Sequence, residues 1–142
     1  IPAAVGLPAK ADGLAPIIDA PFEAGLKAFR ERGFYPINHL VVVRDDVLAA
    51  NPGLGVQLFE AFAESKRLYI DDLKAGRISD PTPNDKVAQA VMETQRDPLP
   101  YGIGPNQDVL ETLLDQAEAQ KIIPARPDLA SLFAAEVHEL VG

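Results

Sequence analysis

Tyr35, Asn38 and His39 place a phenol, an amide and an imidazole within five residues of one another, three groups that between them donate, accept and transfer protons. In an extended backbone, alternation sends Tyr35, Ile37 and His39 to one face and Asn38 to the other, so the phenol and the imidazole can reach one ligand together. Strand ends in α/β proteins are where ligands meet protein. The same pattern serves equally a histidine that bonds a neighbouring carbonyl and an aromatic ring that fills core. A second candidate is Tyr101, in the loop Asp97-Pro98-Leu99-Pro100-Tyr101-Gly102. Loops of this kind border a cleft or simply connect two elements.

Other chemistries find little footing. There are two histidines, His39 and His138, and no cysteine, and neither H-x-x-x-H nor H-E-x-x-H spacing occurs, so no metal ligands are assigned. Gly102-Ile103-Gly104 lacks the third glycine and the preceding strand of a dinucleotide fingerprint, and no phosphate-binding loop or nucleophile elbow is present, so no cofactor is assigned. Asp45, Asp46, Asp71, Asp72, Asp108, Glu111 and Asp115 fall where helix caps and solvated helix faces are expected, not paired catalytic carboxylates. Arg44 can pair a carboxylate ligand or face solvent. A net charge of −8 argues against a nucleic-acid partner and against an anionic membrane surface. No apolar run approaches the roughly 20 residues of a membrane span.

The elements that must position these residues follow from periodicity. Residues 1–21, rich in proline and glycine, read as a linker or loop, and 22–142 as the organised part. A short amphipathic helix is expected over 21–32, between Pro21 and Gly33. The run Leu40, Val41, Val42 and Val43 combines β-branching with too little polarity for one wet face, so 37–44 reads as a buried strand. A long helix is expected over 55–74, with Val56, Phe59, Phe62, Ile70 and Leu73 toward the core and Glu60, Glu64, Lys66, Arg67 and Asp71 toward solvent. Further helices are expected over 85–95, over 106–120 with Asn106 as N-cap, and over 129–137. The class is therefore α/β and helix-rich, with one buried strand and about five helices. A lone strand cannot satisfy both of its edges, so its partners must come from a remaining N-terminal part of the same protein or from another chain. The sequence reads as an incomplete piece.

Two ordered blocks carry a family resemblance. Gly33-Phe34-Tyr35-Pro36-Ile37-Asn38-His39 with the apolar run to Arg44, followed by Asn51-Pro52 and Leu58 to Lys66, is one; Asp97 to Gly102 with Pro105-Asn106 is the other. Together they resemble the 4,5-dihydroxyphthalate decarboxylase family, as the C-terminal portion of a member about twice as long. The resemblance implies a two-lobed fold of the type II periplasmic-binding-protein kind, with a ligand between the lobes and the strand crossing back to the first lobe. It implies a carboxy-lyase that removes one carboxylate from a dihydroxyphthalate-like ring. His39 is then the candidate acid, and Tyr35, Asn38 and Tyr101 the candidate substrate-binding residues. Leu99 stands where the family's pattern has tryptophan, Gly53 replaces an aromatic, and Gln107 a basic residue, so pocket lining and substrate are expected to differ.

The same fold also serves non-catalytic receptors for small carboxylates in transport. The enzyme reading implies a cytoplasmic protein and the receptor reading a periplasmic one, and an N-terminal leader would separate them.

Overall fold

A computed structural model describes residues 15–33, 37–94 and 96–142. The chain divides into two compact units, the first ending at Gly33 and the second holding the other described residues.

In the first unit α1 spans Pro21–Arg32, as its periodicity predicts. Proline at the first helical position sacrifices no needed N–H, Glu23 lies in the first turn and Arg30 and Arg32 in the last, which complements the helix dipole. Gly33 ends the helix, its N–H donating to the Phe29 carbonyl at 2.8 Å.

The second unit opens with the largest departure from expectation. Residues 37–44 run without regular secondary structure, and there is no β-strand among the described residues. Leu40, Val41 and Val42 are 54%, 65% and 88% exposed, so the expected buried strand is not found. The reason is physical: residue type favours an extended chain here, but a strand is completed only by a neighbour in a ladder. No described backbone group bonds residues 38–43.

Four helices follow in this unit: α2 (Asp45–Ala50), α3 (Leu54–Lys74), α4 (Pro83–Met92) and α5 (Gln107–Ala119). The short α2 carries Asp45 and Asp46 in its first turn, where acidic side chains complement the helix dipole. At the start of α3 the Glu136 carboxylate accepts from the N–H groups of Gly53 at 3.2 Å and Gly55 at 2.8 Å, two donors that the helix itself leaves unpaired. The expected helix over 129–137 is replaced by two 3-10 turns, Leu129–Leu132 and Ala135–Val137. The second of these packs on α3, which brings Glu136 to its cap.

Two apolar groups hold the unit. Ile70 and Leu73 of α3 and Ala88 and Val91 of α4 are buried, and the two helices pack together. Leu110, Leu114 and Leu129 form a second cluster, against which Ile37, Ile103, Ile123 and Phe133 pack. Ile37 is thus the anchored end of the extended run. Phe62, expected in the α3 stripe, is instead 44% exposed.

Candidate functional site

The Pro-rich loop between α4 and α5 is held by several side-chain hydrogen bonds. Pro98 and Pro100 offer no N–H, so the loop cannot satisfy itself with local backbone bonds and draws on its surroundings. The Asp97 carboxylate accepts from the Leu99 N–H at 2.9 Å, and the Asn106 side-chain amide donates to the carbonyls of Pro100 at 2.7 Å and Gly102 at 2.8 Å. Asn106 is buried. It sits at the N-cap position of α5 but makes no side-chain cap bond; its amide secures the preceding loop instead.

The C-terminal segment closes over the same loop. Tyr101 N–H donates to the Gly142 carbonyl at 3.0 Å, and Gly142 N–H donates to the Tyr101 carbonyl at 3.2 Å. This close approach requires Gly102, whose φ is +106° and where a Cβ would collide with the Leu140 carbonyl; both features exclude other residues. Beneath lies Lys66 of α3. Its ammonium donates to Asp97 Oδ2 at 2.5 Å and to the Gly142 carbonyl at 2.7 Å, and it stands 5.4 Å from the centroid of the Tyr101 ring, within cation–π range.

Lys66 was expected toward solvent, yet its side chain is only 10% exposed. The signal was in the sequence: Lys66 lies seven residues after Phe59, three after Ala63 and four before Ile70, which puts it in the middle of the α3 face that these residues define.

An open groove of about 910 Å³ runs beside this node, lined by Phe59, Ile70, Met92 and Pro98 and edged by Lys66 and Arg67 among others. Arg67 is paired with Glu64 at 2.6 Å and Asp71 at 3.0 Å. The bond and charge of Glu64 hold the Arg67 guanidinium above its ordinary range, while the bond from Arg67 holds the Glu64 carboxyl below its own.

Of the residues singled out in the sequence, Tyr35 lies outside the described residues. Asn38 and His39 are exposed, and neither makes a hydrogen bond or ion pair among the described residues. Tyr101 is half-buried, and its hydroxyl has no protein partner among the described residues. No bond links His39 with Tyr101, and neither His39 nor Asn38 lines the groove. Arg44 is turned back on Asp46, at 2.6 and 3.0 Å. His138 faces the Phe133 carbonyl at 3.0 Å. Among the described residues no three metal-ligating side chains converge.

With this geometry, one curated protein is informative. The chain is 26% identical over 120 residues to a 4,5-dihydroxyphthalate decarboxylase from Comamonas testosteroni. The match covers 82% of this chain and 36% of that protein, so the chain spans about a third of its relative's length, less than the half that the sequence motifs implied. No family model and no solved structure matches.

Proposed function

We propose that this chain is part of a decarboxylase acting on an aromatic dicarboxylate of the 4,5-dihydroxyphthalate type. The observation that carries the reading is the 26% identity to a protein named for that activity, extending over 82% of the chain. In this reading the chain belongs to a two-lobed ligand-binding protein of the cytoplasm, and the substrate lies between the lobes.

The exposed run Leu40, Val41 and Val42 supports a partner that supplies strands. Alternation puts apolar side chains on both of its faces, so pairing along one edge would leave both faces wet. A sheet covered by helices, from the remainder of a longer protein, meets the need better than one added strand.

The chemistry asks for a proton at carbon. As the bond from ring to carboxylate breaks, CO₂ leaves and its electron pair stays on the ring carbon, which must be protonated, giving a dihydroxybenzoate. His39, exposed and without a partner among the described residues, is the proposed donor; Tyr35, Asn38 and Tyr101 are proposed to hold the ring hydroxyls and the second carboxylate. The test is CO₂ release from 4,5-dihydroxyphthalate by the protein purified from its source, its intact mass measured alongside. Turnover that depends on His39 supports the reading; binding of the diacid without CO₂ release makes the protein a receptor.

A further inference from the structure

Lys66 holds an unusual position for a cation. Burial of an ammonium is unfavourable unless its donors are met, and here two of its three N–H groups have protein acceptors: the Asp97 carboxylate, which begins the Pro-rich loop, and the Gly142 carbonyl. That same carbonyl accepts from the Tyr101 N–H. One ammonium therefore joins α3, the first residue of the loop and the segment that pins Tyr101, while its charge faces the Tyr101 ring.

We infer that Lys66 is a positioning residue: by clamping Asp97 and Gly142 it fixes the Asp97–Gly102 loop and sets the direction in which the Tyr101 phenol is offered to a ligand. Loss of the clamp frees the loop without opening the cluster of Leu110, Leu114 and Leu129, which lies on other side chains. The inference rests on the assignment of Tyr101 to ligand contact.

Two readouts separate the clamp from that assignment. The first is amide hydrogen exchange at Leu99 and Tyr101 in the full chain, with Leu110 and Leu114 as internal references, in Lys66→Met and in Asp97→Asn. Methionine keeps the apolar stem of lysine without its charge; the asparagine keeps an oxygen for the Leu99 N–H. Both variants are expected to speed exchange at the loop amides by about tenfold to a hundredfold, the range for losing a charge-assisted hydrogen bond, with the references unchanged. Unchanged loop exchange, or an equal rise at Leu110 and Leu114, overturns the clamp. The second is the affinity of the native protein for 4,5-dihydroxyphthalate in Lys66→Met, Tyr101→Phe and the double variant. Weakening in each single variant without addition in the pair is the result expected of residues acting as one unit; full addition overturns positioning through Tyr101. Unaltered affinity in Tyr101→Phe alone removes the ligand role of Tyr101 and with it the positioning claim, while exchange still decides whether the clamp exists.

Discussion

The phenol of Tyr69 on α3 donates to the Asp85 carboxylate at the start of α4, at 2.5 Å, and so joins a helix face to a helix cap. Asp85 is buried and also accepts from the N–H and hydroxyl of Thr82, each at 2.7 Å. Each partner shifts the other. The bonds from Tyr69 and then Thr82 hold the Asp85 carboxyl below the ordinary range, and burial, followed by the bond to Asp85, pushes the Tyr69 hydroxyl up to about 12 from 10.0.

The pH dependence follows in sign. A lowered carboxyl contributes stability that is present above its ordinary value and lost as pH falls through the lowered one; a raised phenol contributes stability present below 10.0 and lost as pH rises through about 12. Urea denaturation is expected to show weakening at both ends, and Tyr69→Phe to be closer to wild type at pH about 12 than at neutral pH. An equal gap between the two proteins at both pH values contradicts the coupling.

Thr82 completes a capping box, accepting from the Asp85 N–H at 3.2 Å. Thr82→Ala is expected to lower stability by about 1 kcal/mol, read as a shifted urea midpoint with an unchanged slope. A change within experimental scatter means that α4 does not depend on the box.

Leu114 is 7% exposed within the α5 cluster. Leu114→Ala is expected to cost about 2–5 kcal/mol, from lost transfer energy and the cavity left behind. In a unit with so few buried side chains that is a large share of typical stability, so the variant is expected to be partly unfolded by circular dichroism at ambient temperature.

His39 separates activity from stability. Exposed and without a protein partner among the described residues, it is expected to leave stability within about 0.5 kcal/mol of wild type when replaced by alanine. Turnover, by contrast, is expected to fall by about 10²–10⁴, as for loss of a general acid. Full turnover in His39→Ala moves the proton donor elsewhere.

Legibility in the sequence tracked how local each determinant is. The bounds of α1 and nearly those of α3 were readable because proline, glycine and a 3.6-residue period all act within a few residues. The run 37–44 was misread as buried because residue type favours extension, whereas burial depends on a partner the run does not find here. The helix expected over 129–137 failed for a related reason: Ala134 and Phe133 are extended, and Glu136 serves the distant cap of α3. Asn106 was read as a cap from its position, but its amide is drawn to Pro100 and Gly102 by a loop short of donors. The burial of Lys66 is not legible from its residue type, since a charge on a helix is ordinarily solvated and only its position between Ala63 and Ile70 marks it as buried.

CO₂ release from 4,5-dihydroxyphthalate by the protein purified from its source tests most directly the proposal that this chain is part of a decarboxylase. Release that is lost in His39→Ala with folding intact is expected. Tight binding of the diacid with no CO₂ above background would contradict it.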